Sequence, residues 1–256
     1  MSKNIITPDT VLKIALAEEG YCEKSKATYT VNKNIIYEKT AGAGNDNYTK
    51  YGKEMHDILP SVMDFPAAWC DAFVDWCMMK AYGIEKAQQL LCGNFDDYTI
   101  NSSNYYKKAN QWITKNPVPG DQIFFKNTTK ICHTGLVYKV DRRYVYTIEG
   151  NTSNKGLLVP NGGCVAKKVY LLTYVGIAGF GRPNYDVRGT CVLDDQNEDV
   201  RLLQKLLMSK GYSLPKYGAD GDFGEETLRA LKQFRKDNNL RSSTVCDADC
   251  WYKLLS

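Results

Sequence analysis

Hydrophobic residues recur at helical spacing over much of the first half of the chain. Residues 10–19 carry apolar side chains on one side and end before Gly20, which predicts a helix. A second helix is predicted to begin at Cys70, and a third, more polar helical stretch covers residues 98–116. Between the first two helices, residues 21–52 are polar and contain several glycines, which favours loops.

After Pro117 the pattern changes to short apolar runs and to alternation. Residues 122–125 predict a buried strand, and residues 133–140 and 144–149 predict two strands joined by a tight turn. At least one further strand is predicted within residues 170–178. Helices followed by antiparallel strands favour an α+β domain, in which N-terminal helices pack on an antiparallel sheet.

The last quarter of the chain returns to helical spacing. It predicts three helices, at residues 199–210, 228–238 and 248–255, which form a small all-α domain. The residues just before them are polar and rich in turn formers. The expected organisation is a domain of residues 1–183, a linker of residues 184–196 and a three-helix domain of residues 197–256.

The composition is that of a globular, mildly basic protein. The 256 residues are 43% hydrophobic and carry a formal charge of +4, too small a bias to imply a nucleic-acid partner. No stretch approaches the roughly 20 apolar residues of a membrane span, so we expect no membrane insertion. The N-terminal residues show no signal peptide, so we expect synthesis in the cytoplasm. Nine irregularly spaced cysteines, with no Cys-x2-Cys pair, favour reduced thiols over a zinc site.

Cys70 is a candidate nucleophile because of where its helix begins. The first turn of a helix has unpaired N–H groups and the positive end of the helix dipole, which lower the pKa of a thiol placed there. Phe73, Trp76 and Cys77 fall on one apolar side of this helix. Cys70 is predicted to lie beside that side, at the edge of a cleft. Taken alone, a cysteine at such a position is more often a buried apolar residue.

A thiol nucleophile needs a base, and the chain has two histidines, His56 and His133. His56 lies in a charged helical stretch and is interpreted as a surface residue. His133 opens a predicted strand. If Arg142 centres the turn that follows, His133 faces Asn151, and Glu149 lies diagonally on the same face. Both polar side chains are then within reach of one imidazole, and either could orient it.

The chain order Cys, His and then Glu or Asn is that of papain-like thiol hydrolases. Four motifs resemble those of the CHAP domain (cysteine, histidine-dependent amidohydrolase/peptidase), a relative of the NlpC/P60 cell-wall hydrolases: Trp69-Cys70-Asp71-Ala72-Phe73-Val74, Pro119-Gly120-Asp121-Gln122-Ile123-Phe124-Phe125, His133-Thr134-Gly135-Leu136-Val137 and Ile148-Glu149-Gly150-Asn151. The C-terminal region resembles a peptidoglycan-binding domain in Val200-Arg201-Leu202-Leu203-Gln204, Asp220-Gly221-Asp222-Phe223-Gly224, Thr227 and Leu231-Lys232-Gln233-Phe234.

This resemblance implies a bacterial cell-wall hydrolase, similar to a phage endolysin, that cleaves an amide bond of peptidoglycan. It implies Cys70 as nucleophile, His133 as general base and Glu149 or Asn151 as the orienting residue, with no cofactor and no metal. Many CHAP domains carry Gln where this chain has Trp69, so the second oxyanion donor is left unassigned. We expect a monomer that is made in the bacterial cytoplasm and meets its partner, peptidoglycan, after release through a holin-type pore or after export.

Three alternatives differ in chemistry. A zinc amidase would need two or three histidines at paired spacing, which His56 and His133 do not offer. A glycoside hydrolase would need two carboxylates at a defined separation, for which Glu18 and Glu19 are weak candidates. A non-catalytic peptidoglycan-binding protein on a degenerate hydrolase fold is disfavoured, because all the side chains that catalysis needs are present.

Overall fold

The computed structural model describes residues 6–153, 163–185 and 191–255. The chain separates into two compact units, one of residues 8–184 and one that contains residues 185–256. Part of the predicted linker, residues 186–190, lies outside the described residues, and the predicted domain limits stay a prediction. No helix in the described part of the chain is long and apolar enough to span a bilayer.

The first unit begins with helices and continues with strands. Its helices are α1 (Asp9–Ala17), α2 (Lys26–Val31), α3 (Lys50–Ile58), α4 (Cys70–Tyr82), α5 (Ile84–Leu90) and α6 (Thr99–Lys108), with a 3-10 turn at Lys33–Tyr37. Its strands are β1 (Trp112–Ile113), β2 (Gln122–Lys126), β3 (Ile131–Val140), β4 (Tyr144–Thr152), β5 (Cys164–Leu171) and β6 (Ile177–Gly181). The strands form one antiparallel sheet in the order β1-β6-β2-β3-β4-β5. This confirms the predicted α+β class.

The hairpin of β3 and β4 carries the predicted base and its partners. Next to the turn, Val140 pairs with Val145, so the turn is not centred on Arg142 as predicted. A one-residue bulge between Val137 and Lys139 then shifts the register, and Leu136 pairs with Ile148. That last pairing is the one expected from a turn centred on Arg142. The error at the turn and the unforeseen bulge therefore cancel before the strands reach His133.

Two predicted elements are wrong in extent. The helical stretch of residues 98–116 ends at Lys108, because Asn110 turns the backbone left-handed (φ 57°) and β1 then joins the sheet beside β6. Residues 170–178 do not form one strand. They span the end of β5 and the start of β6, which lie far apart in the strand order, so the chain must leave one sheet position to reach the other.

Helix α4 is more deeply buried than its sequence pattern predicts. All residues from Cys70 to Met78 are buried, not one side alone. The helix contacts α1, α3 and α5 and also lies against β3 and β4, so both helices and sheet cover it. Two of the buried residues, Asp71 and Asp75, are carboxylic acids, which must find hydrogen-bond partners within the protein.

The second unit is a small helical domain, in agreement with the predicted all-α class. Its helices are α7 (Glu198–Ser209), α8 (Glu225–Asp237) and α9 (Ala248–Leu255). Apolar side chains at helical spacing, among them Val200, Leu203 and Leu231, form its core. Asn197 caps α7 by accepting a hydrogen bond from the Val200 N–H at 3.0 Å.

Candidate active site

Cys70 occupies the first position of α4. The preceding residue, Trp69, sits at the helix cap without a side-chain capping bond, so the first-turn N–H groups receive no acceptor from it. These N–H groups and the helix dipole favour negative charge on a thiol at this place. Cys70 is 5% exposed, so the protein covers most of its side chain.

His133 lies on β3 and is fully buried. Its Nε2 atom lies 3.0 Å from Oε2 of Glu149 on β4. The other ring nitrogen, Nδ1, is buried and makes no hydrogen bond within the usual distance limits. Cys70 nevertheless lies close enough to the ring to act on its protonation. We infer that Nδ1 faces the sulfur at a distance longer than a formed bond, as is common in sites without substrate.

Three donors hold the carboxylate of Glu149. Besides His133, the hydroxyl of Thr147 donates to Oε1 and the phenol of Tyr170 donates to Oε2 at 3.3 Å. Burial and the charge of Glu149 raise the pKa of Tyr170, so this phenol remains a donor. Gly135 supplies the space: a Cβ there would lie 2.5 Å from Cγ of Glu149. The three hydrogen bonds and the close packing of Gly135 therefore restrict the movement of the carboxylate.

The charges around His133 favour its protonated form. Burial disfavours the imidazolium, but the interactions of the ring with Cys70 and Glu149 outweigh burial and raise the pKa of His133 to about 10. An imidazolium beside a cysteine is the arrangement in which the sulfur is held as a thiolate. The structure thus places an imidazole with a raised pKa beside the candidate nucleophile.

Asn151, the other predicted orienting residue, is placed differently. It is buried near the end of β4 and has a left-handed backbone (φ 53°), and the pairing of β4 with β5 shifts register around it. The side chain of Glu149, the other candidate, hydrogen-bonds the imidazole. The sequence alone left the two open.

A second polar network joins the nucleophile's helix to the histidine's strand. Nε2 of Gln122 donates both to Asp71, the residue after Cys70, and to Thr134, the residue after His133, each at 3.1 Å. The other oxygen of Asp71 accepts a bond from Ser102. Gln122 itself accepts a bond from the Tyr106 hydroxyl at 3.1 Å. The side-chain amide of Gln122 therefore connects α4, which carries Cys70, to β3, which carries His133.

The carboxyl group of Asp71 differs from Glu149 in its surroundings. Burial raises the pKa of Asp71 to about 7, although the hydrogen bonds from Ser102 and Gln122 oppose the shift. Asp75, one turn further along α4, accepts a bond from the Asp96 N–H at 2.9 Å, and burial raises its pKa as well. For Asp71 and Asp75 alike, burial penalises the charged form, and neighbouring carboxyl groups raise the pKa further.

Trp69 is also committed to a structural contact. Its indole N–H donates to Glu23 at 2.7 Å, and its ring stacks on Tyr51 at a centroid distance of 5.4 Å. The indole N–H is therefore not directed at an oxyanion beside Cys70. The backbone N–H of Cys70 remains the candidate donor from this segment, and the second donor stays unassigned.

His56 has a structural contact of its own on α3. Its Nδ1 atom lies 2.6 Å from the carbonyl oxygen of Met63, and the residue is half-buried rather than fully on the surface as predicted. Within the described residues, no group of three or more His, Cys, Asp or Glu side chains is arranged to hold a metal ion.

The second unit has an open pocket of about 560 Å³. Its floor is organised by Gln204, whose amide donates to Asp220 at 2.8 Å and Thr227 at 3.0 Å and accepts from the Gly221 N–H at 2.8 Å. The ring of Tyr217 lies at its rim and is 60% exposed. The lining residues are Gln204, Lys216, Tyr217, Asp220, Asp222, Gly224, Glu225, Glu226, Thr227 and Arg229.

Sequence reasoning missed several residues that support the site. Thr147 lies two positions before Glu149, so strand alternation could have placed it on the same face. Gln122 belongs to the motif of residues 119–125, but the motif does not indicate that its amide hydrogen-bonds both Asp71 and Thr134. Tyr170 had no signal, because the strand that carries it was not correctly delimited.

Comparisons with known proteins bear on both units. Residues 62–151 match the CHAP domain, and residues 196–254 match the putative peptidoglycan binding domain. Two solved structures are similar at low level. One is the crystal structure of Ly7917, with a TM-score of 0.39, 16% identity and coverage of 74% of this chain and 69% of that chain. The other is a periplasmic domain of the EpsAB fusion protein of the Vibrio vulnificus type II secretion system, with a TM-score of 0.30, 14% identity and coverage of 57% and 59%. TM-scores this low add nothing about function.

Curated relatives are similar over short stretches. N-acetylmuramoyl-L-alanine amidase CwlL of Bacillus licheniformis is 54% identical over 37 residues, 14% of this chain and 10% of the relative. A probable N-acetylmuramoyl-L-alanine amidase of the same species is 41% identical over 46 residues, 18% and 13% respectively. The type VI secretion system spike protein VgrG3 of Vibrio cholerae is 48% identical over 42 residues, 16% and 4%. These matches span at most 13% of a relative's length. The two family matches show that the chain carries a CHAP domain followed by a peptidoglycan-binding domain.

Proposed function

We propose that the chain is a cysteine-dependent peptidoglycan hydrolase that cleaves an amide bond, as an N-acetylmuramoyl-L-alanine amidase or as a stem-peptide endopeptidase. The observation that carries the proposal is the buried His133–Glu149 pair beside a cysteine at a helix start, within a CHAP domain. Two of the relatives that match short stretches of the chain are named as amidases, which agrees with this substrate class.

In the first half of the proposed reaction, the Cys70 thiolate attacks the carbonyl carbon of the amide. The developing oxyanion accepts a hydrogen bond from the Cys70 backbone N–H at the positive end of α4. His133, held by Glu149 with a pKa of about 10, is protonated at neutral pH and gives its proton to the leaving amine. The C–N bond breaks, and the acyl group remains on sulfur as a thioester.

In the second half, water hydrolyses the thioester. His133, now neutral, takes a proton from the water as it attacks the acyl carbon, and the Cys70 sulfur leaves as a thiolate. This restores the thiolate–imidazolium pair. Glu149 acts throughout by keeping Nε2 bonded, so that Nδ1 points to the sulfur and the ring does not rotate.

The second unit is proposed to keep the enzyme on the polymer. Its pocket exposes the face of Tyr217, on which a sugar ring or a peptide can pack, and Lys216 and Arg229 line the same pocket. Aromatic rims of this kind provide contact area at little entropic cost. That the protein reaches the wall after release or export stays a prediction from the sequence, as does its monomeric state.

A wall-clearing assay tests the proposed activity. Purified wall is incubated with the protein, turbidity is followed, and the released fragments are analysed by mass spectrometry. Cys70→Ala is expected to lower the rate by at least about 10⁴-fold, because the nucleophile is lost. Cys92→Ser is the matched control: this half-exposed cysteine lies after α5 and should leave clearing unchanged.

The other outcomes separate the alternatives. Clearing by Cys70→Ala would exclude the thiol mechanism, loss of activity with a chelator would indicate a metal enzyme, and new reducing sugar ends would indicate a glycosidase. Sedimentation of Cys70→Ala with the wall measures binding without cleavage. We expect Tyr217→Ala to weaken this binding and Tyr37→Ala, an exposed tyrosine of the first unit, to leave it unchanged.

A further inference from the structure

We propose that Cys22 and Cys164 form a reversible cross-strand disulfide that fastens the edge of the sheet to the segment supporting Trp69. The two residues form an isolated antiparallel bridge outside the main ladder, between the segment after α1 and the first residue of β5. Both thiols are free and half-exposed.

The backbone around the two cysteines fits a disulfide. The N–H of Val165 donates to the Tyr21 carbonyl and the N–H of Glu23 donates to the Gly163 carbonyl, each at 2.8 Å. These bonds flank the cysteines without involving their own N–H groups, which makes them a non-hydrogen-bonded pair. Opposed Cα atoms in such pairs are about 4.5 Å apart, within the range of about 4.4–6.8 Å found for disulfides. The side chains are also close, since the Cys22 thiol contributes to the raised pKa of Cys164.

A second cysteine pair in the other unit provides a contrast. Cys191 and Cys246 exchange their own backbone bonds, at 3.1 and 2.9 Å, so they form a hydrogen-bonded pair with Cα atoms about 5.5 Å apart. They are only 1% and 0% exposed, which bars a dissolved oxidant from reaching them. Cys22 and Cys164 have the shorter expected Cα–Cα separation, and both are accessible to solvent.

The oxidation balances with a low-molecular-weight disulfide such as oxidised glutathione. One cysteine thiolate attacks the disulfide, forming a mixed disulfide and releasing one glutathione thiol. The second cysteine then attacks the protein-bound sulfur, forming the Cys22–Cys164 bond and releasing the second thiol. Burial, together with the neighbouring Cys22 thiol, raises the pKa of Cys164 to about 12. Exchange that starts from Cys164 is therefore slow at neutral pH and faster in mild alkali.

The position of the bond suggests what it would stabilise. Cys22 precedes Glu23, whose carboxylate holds the indole of Trp69 at 2.7 Å, directly before Cys70. On its other side, Cys164 pairs with Thr152 at the end of β4. A covalent link between Cys22 and Cys164 would tie β5 to the Glu23 segment and limit their separation on heating.

The test uses the full chain carrying Cys70→Ala, so that the candidate nucleophile neither reacts with the oxidant nor enters the readout. The protein is incubated with oxidised glutathione at pH 8.5, digested without reduction and analysed by mass spectrometry. We expect a linked peptide pair containing Cys22 and Cys164, lost on reduction. We also expect the calorimetric unfolding midpoint to rise by about 5–15 °C on oxidation.

Single-cysteine variants make the result specific. In the same background, Cys22→Ser and Cys164→Ser should each abolish the linked peptides and the rise in midpoint, whereas Cys92→Ser should keep both. Stable glutathione adducts on Cys22 or Cys164, or unmodified thiols after prolonged oxidation, would overturn the proposed bond. Linked peptides without a rise in midpoint would overturn its stabilising role. Neither readout depends on hydrolysis, so failure here is distinct from failure of the proposed activity.

Discussion

The cysteine and the histidine of the candidate site are each backed by a buried carboxyl group, and the two groups are arranged in opposite ways. Glu149 lies beside an imidazolium and receives further bonds from Thr147 and Tyr170. Asp71 has hydrogen-bond donors but other carboxyls as its charged neighbours, and burial raises its pKa to about 7. Both are fully buried, so the difference comes from their partners and not from exposure.

This contrast separates electrostatic support from mechanical support. A carboxylate paired with His133 changes the proton affinity of the ring and so belongs to the chemistry. A carboxyl whose pKa is raised to about 7 carries less negative charge near neutral pH than Glu149 would and serves mainly as a hydrogen-bond acceptor for Gln122 and Ser102. We call His133 with Glu149 the histidine side of the site and Cys70 with Asp71 the cysteine side. Activity should therefore depend on the negative charge of Glu149 on the histidine side, and on hydrogen bonds of the right geometry to Asp71 on the cysteine side.

The largest effect is expected for Glu149→Gln. The amide keeps the size of the side chain but removes the charge that stabilises the imidazolium, so kcat should fall by about 10²–10⁴-fold. The pKa of His133 should fall as well, and the alkaline limb of the pH–rate profile should move to lower pH. Wall clearing across pH gives the profile, and imidazole NMR gives the pKa directly, since His56 contributes the other signal.

Asp71→Asn is the matched control for Glu149→Gln. It also converts a buried carboxyl to an amide, but it should change kcat by less than about 10-fold and leave the pKa of His133 unchanged. Equal losses of activity in the two variants would contradict the distinction between the two sides.

Two glycines allow Glu149 and α4 to be displaced separately, by adding a methyl group next to one or the other. Gly135→Ala would place a Cβ 2.5 Å from Cγ of Glu149, and Gly150→Ala would place one 2.5 Å from Cβ of Phe73 and 2.9 Å from Trp69. Displacing Glu149 by a fraction of an ångström should cost kcat about 10²-fold and lower the pKa of His133. Displacing α4 should cost activity and also about 1–3 kcal/mol of the free energy of unfolding.

Kinetics, histidine NMR and urea unfolding of both variants read out this difference. Gly224→Ala is the control for the His133 pKa and for unfolding only, because a Cβ there meets nothing within 4 Å and the backbone is extended with φ −85°, but the residue lines the proposed binding pocket. An unchanged His133 pKa in Gly135→Ala would show that Glu149 is not held by that contact.

The same two sides differ in how far the sequence predicts them. A helix starting at Cys70 and a strand starting near His133 follow from local pattern, whereas the register that brings Glu149 to the face of His133 was predicted only because the error at the turn and the bulge cancel. The left-handed backbone at Asn151, the other candidate, does not follow. Local pattern carries no information on that conformation.

Contacts between distant parts of the chain are what the sequence failed to predict. Gln122 meets Asp71 across 51 positions, and Tyr170 meets Glu149 across 21. The complete burial of α4 was missed for the same reason, since the covering layers come from helices before it and strands after it. Hydrophobic periodicity shows which face of a helix is apolar. It cannot predict the burial of α4, because this helix buries polar residues as well as apolar ones.

A smaller effect is expected when the link between the two sides is removed. Gln122→Leu keeps the volume but deprives Asp71 and Thr134 of a donor and Tyr106 of an acceptor. The buried polar atoms left unpaired should lower the free energy of unfolding by about 2–4 kcal/mol, measured by urea denaturation. Thr134→Val removes one of these contacts and should cost less. Activity should fall by about 10-fold without a change in the His133 pKa.

The smallest effect concerns the pH dependence of stability in Asp71→Asn. Because the pKa of Asp71 is raised to about 7, the folded protein favours the protonated carboxyl. Its contribution is complete below about pH 4 and is lost as the pH rises through about 7. Asparagine does not ionise, yet its amide can accept from Gln122 and donate to Ser102. Relative to the native chain, the variant should gain about 2–3 kcal/mol between pH 5 and pH 8 in urea unfolding. Parallel curves for the two proteins would mean that Asp71 is ionised when folded, and the cysteine side would then be supported by charge in the same way as the histidine side.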